Sequence, residues 1–92
     1  MGIWIRTQNK SRLFYNDKIS IEFFDEIIER RFFMEDKIKR HWYIYDTKYI
    51  ELGEYSSYKK CLKVLDMIQK YIQSKVNEYM VFQMPQDEEV KF

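Results

Sequence analysis

An aromatic ring, a guanidinium and an amide occur at every second position near the start of the chain. Trp4, Arg6 and Gln8 have this spacing, and in a β-strand their side chains would point to the same side. Together they could stack on a base, pair with a phosphate and read the edge of the base. Lys39 and Arg40 could join them from a neighbouring strand. These five residues are therefore a predicted binding site for a nucleotide.

The same spacing also has a structural interpretation. A tryptophan on a strand can pack against Arg6 or against a cross-strand neighbour and so stabilise the sheet. In that case Trp4 contributes to folding and reads no ligand. The sequence leaves both interpretations open.

Catalytic residues are scarce in this sequence. It has one histidine, His41, and one cysteine, Cys61. Cys61 lies on the apolar side of a predicted helix, where a buried cysteine usually acts as a small hydrophobic residue. His41 is interpreted as a surface or interface residue. Because acyl transfer needs a nucleophile and a base within reach of each other, we predict that the protein is not an enzyme.

The sequence offers little for a metal or a cofactor. A zinc site would require several Cys and His residues at defined spacings, and these are missing. Four nearby carboxylates could bind Mg²⁺, but Arg30 and Arg31 follow them directly and favour a solvated, self-neutralised edge. The four are Glu22, Asp25, Glu26 and Glu29. No glycine-rich phosphate loop is present, so no cofactor and no metal ligand are predicted.

A basic segment covers residues 30–43. It combines Arg, Lys and His side chains with Trp42 and Tyr43, which is the composition of a stacking surface for single-stranded nucleic acid. The acidic residues within the segment and a net charge of only +1 argue against binding to a long duplex. A charged hairpin end that protects a sheet edge is the structural alternative.

The hydrophobic periodicity predicts an α+β fold. We expect an antiparallel meander of about five strands, one long amphipathic helix on one sheet face over residues 57–77, and a closing strand at 78–84. Residues 25–33 fit a helical stripe or a bulged strand, and the turn-like sequence at 34–37 favours the strand. The expected meander strands are 2–8, 12–15, 18–24, 38–46 and 49–55, with the ambiguous segment 25–33 between the third and the fourth.

A single helix can cover only one face of such a sheet. The other face would carry Phe24, Tyr43 and Tyr45, and a monomer rarely exposes that much aromatic surface. Either the sheet curls into a partial barrel, or a second subunit or a ligand covers this face, and these three residues are the predicted interface. A homo-oligomer is expected on the same grounds.

The length of 92 residues is typical of one small domain. We expect a single α+β domain over residues 1–85 and a polar C-terminal tail, 86–92, that frays. No segment has the length and apolarity of a membrane span or a signal peptide. The single cysteine suits a reducing compartment, so the expected location is the cytoplasm.

Three stretches of the chain resemble a group of small, uncharacterised proteins encoded by prophages and mobile elements of low-GC Gram-positive bacteria. The group pattern is Trp-Ile-Arg-Ser-Gln-Asp-Lys, then Leu-Gly-x-Tyr, then Val-Leu-Asp-x-Ile-Gln within an amphipathic helix. The matching positions are 4–10, 52–55 and 64–69. Thr7 and Asn9 depart from the pattern, as does the additional Gly2-Ile3 at the front.

The resemblance implies a genomic context rather than a chemical activity. Small phage proteins of this kind often counter host defence, either by sequestering a nucleotide signal or by binding a host enzyme. The resulting expectation is a non-enzymatic phage accessory protein in the cytoplasm of a bacterial host. Its first hypothetical ligand is a nucleotide; the alternatives are a host defence protein bound at the aromatic sheet face and single-stranded nucleic acid.

Overall fold

The computed structural model describes residues 2–16, 18–46, 49–74 and 80–92. It has an α+β fold with six strands, one α-helix and a short 3₁₀ turn at Asp87–Glu89 in these ranges. The strands lie close to the predicted positions because their alternating apolar residues are a local property of the chain. In chain order the elements are β1 (Ile3–Arg6), β2 (Leu13–Asn16), β3 (Ile19–Glu29), β4 (Lys37–Asp46), β5 (Glu51–Tyr55), α1 (Tyr58–Ser74) and β6 (Val81–Gln83).

The strands form two sheets rather than the single predicted meander. Sheet A has the order β2-β1-β6, with β1 antiparallel to β2 and parallel to β6. Sheet B is the antiparallel meander β3-β4-β5. The prediction was wrong at the β2–β3 junction because β1 pairs with a strand from the far end of the chain. Strand periodicity contains no information about such a long-range choice.

The core lies between the two sheets and the helix. Ile3 and Ile5 of β1 and Ile44 of β4 are buried, as strand alternation predicts. Their neighbours in the buried cluster are Leu52, Tyr55, Cys61, Val64, Ile68, Phe82, Met84 and Val90.

The helix begins close to its expected start. The hydroxyl of Ser57 accepts a hydrogen bond from the backbone N–H of Lys60 at 3.2 Å, so Ser57 caps the helix. The last described helical residue is Ser74, and the predicted helix end at 77 lies outside the described residues, as do the first two residues of the predicted strand 78–84. Within the described ranges, no helix combines the length and the apolarity needed to cross a membrane.

The ambiguous segment 25–33 is strand as far as Glu29. Its pairing with β4 ends at Glu29, whose register partner is Lys37, and the register shifts between Ile27 and Glu29. A second irregularity lies between Ile44 and Tyr45, where β4 pairs with β5.

The C-terminal segment is packed against the domain rather than frayed. Val90 is only 3% exposed and belongs to the core cluster. Asp87 accepts hydrogen bonds from the Ser56 backbone N–H at 2.7 Å and from the Lys60 Nζ at 3.2 Å. Partial burial alone would raise the pKa of Asp87, but these hydrogen bonds outweigh it and lower the pKa. The expectation of fraying overlooked the one apolar residue that this polar segment buries.

Candidate functional site

Trp4 packs against a cross-strand neighbour. Its ring meets that of Tyr15 edge to face, with centroids 5.4 Å apart, and the two residues are register partners between β1 and β2. Such an aromatic pair stabilises a sheet. Arg6 follows on the same side of β1 and is exposed. The structural interpretation of Trp4 therefore agrees with its contacts.

The amide of Gln8 is used inside the protein. Its Nε2 donates to the backbone carbonyls of Glu54 at 2.9 Å and Pro85 at 3.2 Å. Its Oε1 accepts from the backbone N–H of Glu54 at 2.9 Å. Gln8 thereby connects the end of β1 with β5 and with the segment after β6. A side-chain amide occupied in this way has little hydrogen-bonding capacity left for the edge of a base.

Arg40 and Lys39 lie on opposite faces of β4 because they are consecutive strand residues. The Arg40 guanidinium donates to Asp25 from two nitrogens, at 2.7 and 3.0 Å, and lies 4.2 Å from the centre of the Phe23 ring. This pairing lowers the pKa of Asp25. Arg40 is therefore already matched by a carboxylate and an aromatic ring.

Three of the five predicted ligand residues line one open cavity. Gln8, Lys39 and Arg40 border a volume of about 460 Å³, whereas Trp4 and Arg6 do not. Three carboxylates line the same cavity, from Glu54, Asp87 and Glu88. Acidic and basic groups are thus mixed there, and an anion would gain little from the local charge.

The three predicted interface residues share one face of sheet B. Tyr45, Tyr43 and His41 follow each other along β4, with ring centroids 5.5 and 6.2 Å apart. Phe24 of β3 is the register partner of His41. Four glutamates border these rings. We call the whole set the acidic tyrosine face: Glu22, Phe24, Glu26, His41, Tyr43, Tyr45, Glu51 and Glu54.

His41 is held between two carboxylates of this face. Its Nδ1 lies 2.5 Å from Glu54 Oε1 and its Nε2 lies 2.8 Å from Glu26 Oε2. The hydrogen bonds with Glu54 and Glu26 raise the pKa of His41. A protonated imidazole can donate from both nitrogens at once, so His41 cross-links β3 and β5 over the surface of β4. The strand register could have indicated this contact, but the residue types did not.

The acidic side chains affect the tyrosines of this face. Burial, followed by the charges of Glu54 and Glu51, raises the pKa of Tyr43. Burial and the charge of Glu54 also raise the pKa of Glu51. Both groups therefore resist acquiring a further negative charge. Four glutamates on this face outnumber its two basic side chains, His41 and Lys39, so a cation placed beside Tyr43 would be stabilised.

Cys61 cannot act together with His41. Cys61 is fully buried in the helix, on the core side of sheet B, whereas His41 lies on the opposite face. Burial, with a smaller contribution from Asp87, raises the pKa of the Cys61 thiol to about 11. The thiol is therefore protonated near neutral pH and is a poor nucleophile.

The acidic cluster on β3 is divided between the two faces of the strand. Glu22 and Glu26 belong to the acidic tyrosine face, whereas Asp25 points the other way and pairs with Arg40. Glu29 lies 3.6 Å from Arg31. In the part of the chain that the structure describes, no group of three or more His, Cys, Asp or Glu side chains is arranged to hold a metal ion.

Comparisons with known proteins identify no relative from which a function could be proposed. No protein-family model matches the chain, and neither the curated proteins nor the solved structures contain a significant match.

Proposed function

We propose that this chain is a non-enzymatic binding protein that holds a basic segment of another protein on its acidic tyrosine face. The observation that carries the proposal is the row of His41, Tyr43 and Tyr45 rings bordered by glutamates. This row lies on the face of sheet B opposite the core. If the chain belongs with the small phage proteins that it resembles, the partner would be a host defence enzyme.

The chemistry of the face suits lysine and arginine side chains. Carboxylates such as those of Glu22 and Glu51 form charge-assisted hydrogen bonds with both cations. The rings of Tyr43 and Tyr45 can accept a cation over their faces. Tyrosine also provides a large contact area with few rotatable bonds, so that little conformational entropy is lost on binding.

The two nucleic-acid hypotheses have less support from the contacts. Nucleotide sequestration relied on Gln8, whose amide is bonded to the backbone, and on Arg40, whose charge is paired with Asp25. Binding of single strands relied on the basic segment 30–43, in which Arg31 also lies near a carboxylate, that of Glu29. Binding of a basic protein segment to the acidic tyrosine face depends neither on Gln8 and Arg40 nor on the basic segment 30–43.

A binding assay with a labelled basic peptide tests this proposal. The probe is a fluorescein-labelled peptide of alternating arginine and glycine, followed by fluorescence anisotropy. We expect the double variant Glu22→Gln/Glu51→Gln to weaken binding by about tenfold or more, the equivalent of roughly 1.4 kcal/mol. Tyr43→Ala should weaken it as well, because one ring face for the cation is lost.

The matched control removes the same charge elsewhere. Asp66 and Glu35 are exposed and lie outside the acidic tyrosine face, so Asp66→Asn/Glu35→Gln should bind the peptide as the unmodified protein does. Equal weakening in the control would show that only the overall charge matters and would contradict the proposal. So would a lack of peptide binding by the unmodified protein.

A further inference from the structure

The β3–β4 hairpin extends well beyond the rest of the molecule. We call residues 23–41 the hairpin arm. Strand β5 pairs with β4 only over residues 42–45, and the ring contact between Trp42 and Tyr58 of the helix lies at the base of the arm. The molecule measures 58 × 28 × 20 Å, and its radius of gyration of 15.5 Å exceeds the roughly 12 Å typical of a compact chain of this length.

The arm exposes a large apolar surface. Phe32 and Phe33 at its tip are 99% and 98% exposed, and Met34 is 67% exposed. Along the arm, Phe23 and Ile38 are about half exposed, as are Phe24, Ile27 and Ile28. Phe24 belongs to the acidic tyrosine face on the other side of the arm, and Ile28 lies at the register shift. Without these two residues, the tip together with Phe23, Ile27 and Ile38 exposes an apolar area on the order of 800 Å². One partner in a standard protein interface contributes about 800 Å², so the arm alone is large enough for a stable interface.

One face of the arm continues the core face of sheet B. Strand alternation places Ile38, Arg40, Trp42 and Ile44 on the same side of β4. The helix side of the molecule covers Ile44, which is fully buried, whereas Ile38 is 51% exposed. Between them, the Arg40 charge is balanced by Asp25. Burial of this inner face would therefore leave no unpaired charge in the interface, which is the usual obstacle to burying arginine.

A two-stranded ribbon is at best marginally stable by itself in water. From these observations we infer that the arm is covered by the arm of a second copy of this chain. The two arms lie antiparallel, inner face against inner face, about a two-fold axis near the Ile27–Ile38 pair. The same apolar residues of each copy then form both sides of the contact, because a two-fold interface uses the same surface on both subunits.

The length of the arm determines what its tip would contact. Phe32 follows Ile27 by five residues, and Trp42 follows Ile38 by four. In antiparallel arms, the tip of one copy therefore reaches Trp42 and the adjoining Tyr58 of the second copy. Tyr58 is 47% exposed, and Leu62, one helical turn later, is 42% exposed. These two side chains offer an apolar surface where the tip arrives.

The mass of the protein in solution tests this inference. Light scattering after size exclusion, over a range of concentrations, should give twice the chain mass of 11.6 kDa. Phe32→Ser/Phe33→Ser should raise the dimer dissociation constant at least tenfold. At a concentration where the variant is still dimeric, its circular dichroism spectrum should match that of the unmodified protein, because both side chains are in solvent within one copy. As a control, Tyr49→Ser/Phe92→Ser removes two exposed aromatic residues away from the arm and should leave the dimer intact.

A cysteine pair tests the predicted contact directly. In one copy, about nine strand residues separate the tip from Trp42, a distance of roughly 30 Å. A disulfide between Phe32→Cys and Tyr58→Cys can therefore form only between copies. We expect covalent dimers from the double variant and free thiols in each single variant. A monomer at every concentration, a dimer that survives Phe32→Ser/Phe33→Ser, or equal cross-linking of a single variant would overturn the inference.

Discussion

At the scale of single residues, side-chain type predicted the chemistry that is possible but not whether the group is available. Gln8 has the amide that a ligand site needs, yet Glu54 and Pro85 occupy it. Trp4 has the required ring, yet it packs on Tyr15. The partner of Trp4 is the kind of cross-strand neighbour that the sequence allowed, whereas the partners of Gln8 lie 46 and 77 positions away and the sequence does not show them.

The contacts of Gln8 predict a loss of stability on substitution. Gln8→Ala removes three hydrogen bonds to the backbone of Glu54 and Pro85. At about 1 kcal/mol for each bond, partly offset by water, we expect the free energy of unfolding to fall by about 2 kcal/mol. Urea denaturation measures this change. Gln73→Ala on the exposed side of the helix should change it little, and an unchanged stability in Gln8→Ala would contradict the structural role.

His41 predicts a pH dependence of stability. Its pKa in the folded protein is raised by Glu54 and Glu26, so protonated His41 stabilises the fold. This contribution is complete below the unfolded pKa of about 6.5 and is lost as the pH rises through the higher folded pKa. The difference in urea midpoint between the unmodified protein and His41→Asn should therefore shrink on going from about pH 6 to about pH 9. A difference that is constant or grows with pH would be inconsistent with the two ion pairs.

At the scale of elements, periodicity predicted most of the strands and the helix. Residues such as Ile3 and Ile5 alternate with polar neighbours, and Cys61, Val64 and Ile68 recur at helical spacing; both patterns are local. The error lay in the C-terminal segment. Its polar composition suggested fraying, whereas Val90 is buried and Asp87 contacts the start of the helix.

Truncation of this segment has a clear expected outcome. Removal of residues 86–92 exposes the surface that Val90 covers and deletes the hydrogen bonds of Asp87 with Ser56 and Lys60. We expect the free energy of unfolding to fall by about 3 kcal/mol, measured by urea or thermal denaturation. Removal of Lys91 and Phe92 alone, both exposed, is the control and should have almost no effect. Equal stability of the two truncated forms would show that the segment contributes nothing.

At the scale of the whole molecule, the arrangement of strands created the surfaces that matter. Pairing of β3 with β4 along ten register positions produces an arm that is longer than the body can cover. The same sheet aligns His41, Tyr43 and Tyr45 with glutamates from both neighbouring strands. Tyr43, Tyr45 and Phe24, which strand alternation predicts on one face, lie in a sheet of three strands rather than in one large meander; their role as an interface stays a prediction.

The sequence by itself determined the α+β composition, the approximate bounds of the strands and helix, and the membership of each strand face. These depend on repeats of two or about 3.6 residues and on side chains close together in the chain. Only the tertiary structure decided the division of the strands into two sheets. It also decided the contacts of His41 with Glu26 and Glu54 and the hydrogen bonds of the Gln8 side chain. The physical reason is distance along the chain: Gln8 bonds to residues 46 and 77 positions away, and no local pattern specifies which distant backbone groups a side chain will meet.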